Sequence, residues 1–152
     1  SRVIVKKVGS ASTDRFVRTL RNRNGFAYID RRKKGDGMKG ILRALSSNES
    51  IGFAMDQSRP GEPKMDFFGH PAKTNTSLAA IWLKKKAPVI HSFARRVGVS
   101  QHVVEFFPET VPVDTGDTDK DILENTKTFS KLVETMVLSN PEQYLWMHNR
   151  WK

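Results

Sequence analysis

The sequence predicts an α/β fold: a mainly parallel sheet with helices on both faces, extra antiparallel strands and C-terminal helices. Three observations lead there. Short β-branched or aromatic runs alternate with amphipathic segments in the order β-α-β-α-β-loop-α-β, the pattern of a parallel sheet. The strands read as near-continuous apolar runs, as strands buried on both faces do. With 152 residues, 38% of them hydrophobic, the chain has material for one core, and residues 1–152 read as a single domain.

Each element has its own signal. Val3-Ile4-Val5 is a β-branched run and reads as the first strand. Ser12, Thr13 and Asp14 offer N-caps, Phe16, Val17 and Leu20 form a helical stripe, and Gly25 stands where a helix-ending glycine belongs. Phe26 to Ile29 is the second strand, and KKGDG (33–37) a turn. Met38, Ile41, Leu42 and Leu45 recur at helical spacing. Ile51 to Met55 is the third strand, and the Pro- and Gly-containing DQSRPGEPK (56–64) a loop. A helix from about Asn75 to Lys86 leads to a fourth strand, Pro88 to Phe93. Val103–Phe107 and Thr110–Val113 read as short antiparallel strands. DTGDTDKD (114–121) is an acidic loop ending in an N-cap. The long helix after it carries Ile122, Phe129, Val133 and Met136 on one face and breaks at Asn140-Pro141, and EQYLWMHNRW follows as a short aromatic helix.

The formal net charge of +10 is unevenly distributed: residues 1–43 hold 13 Lys/Arg and 3 Asp/Glu, and the remaining residues hold 13 of each. A basic surface so localised attracts nucleic acid, acidic headgroups or an acidic carrier protein. The absence of cysteine removes disulfides and Cys-based metal sites. No apolar run approaches the roughly 20 residues of a membrane-crossing helix. No metal site and no cofactor motif is expected: GDGMKG lacks the spacing and the Lys-Ser/Thr ending of a phosphate-binding loop.

The stretch NGFAYIDR (24–31) admits two readings. Gly25-Phe26-Ala27-Tyr28-Ile29 matches the middle of an RNA-stacking strand signature. The flanks disagree: Asn24 replaces the expected basic residue, Arg31 the final aromatic, and the Val3–Val5 strand offers no aromatic partner. Nucleic acid is therefore not the expected partner, and Phe26 and Ile29 read as core. The second reading rests on the strand's carboxyl end. Asp30 and Arg31 leave there, and Asp56, Gln57, Ser58 and Arg59 follow the third strand in the same way. Ligands of open α/β sheets bind at that edge, and a guanidinium can hold a phosphate through two parallel hydrogen bonds. Two neighbouring strands are thus expected to deliver an acid and an arginine each to one phosphate-bearing substrate.

In order, Gly25-x-x-Tyr28-Ile29-Asp30-Arg31, MDQSRPGEP, FFGHPAKTNTSLA, APVIHSF and PEQYLWMHNRWK resemble the bacterial lipid A biosynthesis acyltransferases, the late lauroyl and myristoyl transferases related to glycerophosphate acyltransferases. The resemblance runs from Val3 to Lys152, and its ending, Glu142-Gln143-Tyr144-x-Trp146-x-His148-x-Arg150-Trp151-Lys152, is the most specific part. It implies transfer of a fatty acyl chain from acyl carrier protein, or acyl-CoA, to a hydroxyl of a lipid A precursor, at the cytoplasmic face of the inner membrane. Carried over by position, Arg31 matches the family's arginine near substrate phosphate or acyl carbonyl, and Asp56 and Arg59 match an acid and an arginine. Gln57 and Ser58 replace the Gly-Thr of the wider superfamily. Phe67, Phe68, Gly69 and Thr74 would shape the acyl or glucosamine pocket.

The family's chemistry requires a His-x4-Asp/Glu pair, because a hydroxyl is a poor nucleophile without a base in reach. No such pair is here: His70 leads to Asn75, His91 to Arg96 and His102 to Phe107. The box is expected upstream of Ser1, so the chain is expected to be the C-terminal portion of an acyltransferase with no catalytic base of its own. Its basic first third would face anionic membrane or carrier protein. The alternative is a non-catalytic basic module for nucleic acid or anionic lipid.

Overall fold

The computed structural model describes residues 2–5, 9–25, 27–30, 36–57 and 61–151, in two units, Ser1–Phe53 and Ala54–Lys152, each taken by itself below. The chain is mixed helix and strand.

The first unit contains β1 (Arg2–Val5), α1 (Ala11–Arg23), β2 (Ala27–Asp30), α2 (Asp36–Ser46) and β3 (Ile51–Gly52). Its sheet is parallel, in the order β2-β1-β3, with Val5 opposite Asp30 and Val3 opposite Gly52. Helix α1 starts two to four residues earlier than Ser12, Thr13 or Asp14 would place it: Ser10 is the N-cap, and its Oγ accepts from Thr13 N–H at 3.2 Å. Asp14 in the first turn pairs with Arg18 one turn on, at 2.6 Å. The helix ends as the sequence indicates, with Gly25 at φ +72°, a left-handed position that glycine tolerates without steric cost. The start of β1 is held by Arg2, which pairs through two guanidinium nitrogens with Glu49, and whose N–H donates to Ser50 O at 2.8 Å.

Helix α2 lies on β2, and Gly40 makes this possible. A Cβ at Gly40 would sit 2.4 Å from Cγ2 of the buried Ile29. Ile41 and Ala44 complete the buried face. Gly40→Ala should therefore destabilise this unit. The helix-propensity gain is about 1 kcal/mol, while overpacking against a β-branched strand residue costs about 1–3 kcal/mol. Urea unfolding would read the difference, and an unchanged or raised midpoint would mean that α2 is not held against Ile29.

The second unit contains β4 (Lys64–Phe67), β5 (His70–Lys73), α3 (Ser77–Lys85), β6 (Val89–Gly98), β7 (Gln101–Thr110), α4 (Thr118–Ser139) and a 3-10 turn at Pro141–Gln143. Met55, Ala79 and Phe129 form its core, with Leu78, Val89, Ile122 and Val133 packed around them. The expected helical face of Ile122, Phe129, Val133 and Met136 is thus the packed face of α4. The same helix also buries Asp121, Asn125, Thr126, Ser130 and Glu134. Apart from Ser130, whose Oγ has no hydrogen-bond partner among the described residues, these polar groups have partners to hold. Asn125 clamps Val113 from both sides, accepting from its N–H at 2.7 Å and donating to its carbonyl at 2.8 Å. Asp121 accepts from the Thr115 hydroxyl at 2.7 Å and the Thr115 N–H at 2.8 Å, and these bonds hold its carboxyl below the ordinary aspartate range.

Four expectations need correction. Parallel pairing among the described strands is confined to β1, β2 and β3; the segment expected as a fourth parallel strand is β6, which pairs antiparallel with β7. The third strand stops at Gly52, and Met55 instead packs in the core of the second unit. The strand expected at 103–107 is part of the longer β7, which pairs along β6, and of the strand expected at 110–113 only Thr110 belongs to it. The aromatic C-terminal segment is not a helix beyond Gln143: the chain follows β5, with Lys73 N–H donating to Arg150 O at 2.8 Å.

Candidate functional site

The edge predicted to bind substrate begins where β1 and β2 end together, at Val5 and Asp30. Asp30 closes β2 at that carboxyl edge. Arg31, Ser58 and Arg59 lie outside the described residues. The expectation that two neighbouring strands deliver the two acid–arginine pairs is corrected by the strand order: β1 runs between β2 and β3. Asp56 and Gln57 are not at the end of a strand either. They follow Met55 in the second unit, Asp56 half-buried and Gln57 exposed.

The remaining predicted residues, Phe68, Gly69 and Thr74, belong to the β4–β5 hairpin. Lys64, Met65, Asp66 and Phe67 alternate out and in, so that Met65 and Phe67 are buried. Phe67 pairs with His70, leaving Phe68 and Gly69 as a two-residue loop with φ +54° and +76°. Positive φ at both positions matches the twist of a tight hairpin, and Gly69 meets it without strain. Phe68 does not, and its conformation is held from outside. Its N–H donates to Oε1 of the buried Glu134 at 2.8 Å, and its ring packs on Phe67 (4.7 Å) and Trp146 (5.6 Å). The second oxygen of Glu134 accepts from Lys131 Nζ at 2.6 Å, and that bond pushes the lysine pKa up. Thr74 is buried, its hydroxyl donating to Ala72 O at 2.9 Å and its N–H to Pro63 O at 2.9 Å. Both polar groups are spent on holding the chain as it leaves β5.

The structure also joins two motifs that are far apart in sequence. Arg150 is 1% exposed, and its guanidinium carbon lies 3.9 Å from the centre of the Phe67 ring. Its Nη1 donates to the Tyr144 hydroxyl at 3.2 Å. Phe67 also meets Tyr144 and Trp151, and Trp146 stacks on Trp151 at 6.4 Å with the planes 15° apart. FFG and YLWMHNRW are therefore one aromatic cluster with an arginine at its centre. Phe67 is core, and Trp146 and Trp151 belong to this packing. Glu134 and Arg150 went unnoticed as its organisers. The signal available for Glu134 was its place on the packed face of α4, and for Arg150 its place in the most specific stretch of the family resemblance.

His91 is buried against Phe129, and its Nδ1 lies 3.2 Å from the Thr110 hydroxyl, not from a carboxylate. Burial pushes its pKa below the ordinary histidine value. Among the described residues no cluster of His, Cys, Asp and Glu is suited to a metal ion.

The family model for bacterial lipid A biosynthesis acyltransferase matches residues 3–152. The chain belongs to this family. Similar relatives are the lipid A biosynthesis palmitoleoyltransferase of Escherichia coli (strain K12) and the lipid A biosynthesis acyltransferase of Shigella flexneri. Each is 29% identical over 136 residues, which cover 87% of this chain and 42% of the relative. The chain thus spans about two fifths of the length of these lipid A acyltransferases. In the second unit, the segments FFGHPAKTNT and PEQYLWMHNRW fold against each other through the aromatic cluster.

Proposed function

We propose that this chain is the substrate-holding portion of an acyltransferase that moves a fatty acyl chain from acyl carrier protein, or acyl-CoA, to a hydroxyl of a lipid A precursor. The observation that carries this reading is family membership over residues 3–152. The ending of β2 at Asp30, immediately before Arg31 in sequence, adds to it. In this scheme Arg31 binds substrate phosphate or the acyl carbonyl through its two-pronged guanidinium. By the same family resemblance, Asp30, Asp56, Gln57, Ser58 and Arg59 are candidates for substrate contact. Phe68, Gly69 and Thr74 bear on acyl or glucosamine binding through the backbone of the β4–β5 segment they shape. The hydroxyl attacks the thioester carbonyl, its proton passes to a His-x4-Asp/Glu base supplied outside these residues, and the carrier's thiol leaves.

The reaction would take place at the cytoplasmic face of the inner membrane. Among the described residues no helix is long and apolar enough to cross a bilayer, and the basic first 43 residues are the part proposed to meet its anionic surface. The test is transfer of labelled acyl chain to a lipid A precursor by the reading frame that contains these residues, with carrier-bound and CoA-bound donors offered separately. Transfer from one donor and not the other is expected. No transfer from either, by a folded protein, would leave a non-catalytic basic module as the surviving reading.

A further inference from the structure

Helix α1 has two unlike sides. Asp14, Val17, Arg18 and Arg21 are half-buried on one. Ser12, Arg15, Phe16, Thr19, Leu20 and Arg23 line a shallow open groove on the other. None of the helix's side chains is fully buried, and on the groove side Phe16 is 64% and Leu20 42% exposed. Arg15 and Arg23 flank these two side chains, and among the described residues neither makes an ion pair.

We propose that this face of α1 is a docking surface for an anionic lipid bilayer, with α1 lying along the headgroup boundary. Charge complementarity selects the occupant. The whole net charge of the chain resides in residues 1–43, and two of those arginines flank the only large apolar side chains on this face of the helix. A helix that lies in the interface presents this combination: apolar side chains long enough to enter the acyl region, and arginines whose stems follow them while their guanidinium groups stay among phosphates. The groove is open rather than enclosed, which suits a fluid lipid surface. A folded protein partner would require a deeper, shaped pocket for its anchoring side chain. The inference deepens the membrane placement proposed above and rests on that reading. Its readout is vesicle binding, which is separate from acyl transfer.

The test is co-sedimentation of the 152-residue chain with vesicles of phosphatidylcholine alone or mixed with phosphatidylglycerol, at low and high salt. Binding should require phosphatidylglycerol and weaken as salt rises. Arg15→Gln with Arg23→Gln should weaken it on the order of 10- to 30-fold, the effect of two basic residues near an anionic surface. Phe16→Ser with Leu20→Ser should weaken it about tenfold or more, and should leave the circular dichroism spectrum unchanged because both side chains are exposed. Lys64→Gln with Lys84→Gln removes the same charge from the second unit and should change binding by less than about twofold if the site is local. Equal losses from both charge pairs would reduce the effect to net charge and overturn the proposal. So would vesicle binding that survives the α1 variants. Saturable binding of acyl carrier protein, lost in the α1 variants while vesicles fail to bind, would assign the face to a protein instead.

Discussion

Phe67→Ala should lower the stability of the second unit by about 3–5 kcal/mol, the range for truncating a fully buried phenylalanine. Phe67 has no exposed surface. Its ring touches Phe68, Tyr144 and Trp151, and carries the Arg150 guanidinium on its face. Truncation therefore does more than open a cavity. The guanidinium of a desolvated arginine loses the ring that compensates it, and its Nε has no hydrogen-bond partner among the described residues to fall back on. Two observables should move together. The denaturant midpoint should fall, and the tryptophan fluorescence should change in the native baseline, because Trp146 and Trp151 stack on each other beside this ring. Phe67→Leu, which keeps most of the volume but no π face, should fall between wild type and alanine. A loss below about 1 kcal/mol for alanine would mean that the aromatic cluster is not packed as described. A midpoint shift with unaltered tryptophan signal would place the damage in β4 alone.

This cluster also marks where the sequence was informative and where it was not. The helices announce themselves through local rules: Met38, Ile41, Leu42 and Leu45 share one face of α2, and Gly25 ends α1 at the positive φ that only glycine adopts freely. The β4–β5 hairpin obeys a local rule too, the alternation of Lys64, Met65, Asp66 and Phe67, but its turn begins with a phenylalanine at φ +54°. Sequence patterns expect Asn or Gly there. The position is tolerated because Glu134, on a different element, accepts the Phe68 N–H, and no window of sequence contains both residues. The C-terminal segment misleads for the same reason. Its aromatic spacing suits a helix, but Arg150 and Tyr144 are claimed by Phe67, and the backbone follows Lys73 instead. For the site, the carboxyl edge at Asp30 was legible from the strand run and the helix before it. The insertion of β1 between β2 and β3 was not, since strand order depends on crossover connections rather than on the composition of any strand.

The largest effect on activity should come from Arg31→Ala. In the transfer assay it should cost on the order of 10²–10³ in rate, the usual consequence of removing one charged donor from a developing oxyanion or a bound phosphate. The fold should survive, because the close contact of β2 with α2 is made by Ile29 against Gly40. Arg31→Lys separates geometry from charge. A lysine keeps the charge but cannot offer two parallel N–H groups, so a site that needs the fork should recover little. The kinetic form of the loss then says what the arginine holds. If Arg31 binds a phosphate that is present throughout the reaction, KM should rise while kcat is nearly kept, because ground and transition states lose the same contact. If it faces the acyl carbonyl, where charge grows only as the hydroxyl attacks, kcat should fall while KM stays near its original value. Unchanged kinetics would remove Arg31 from the site. Loss of folded protein would assign it to the architecture of the first unit, and the search for the phosphate ligand would move to Arg59, the other arginine that the family resemblance marks.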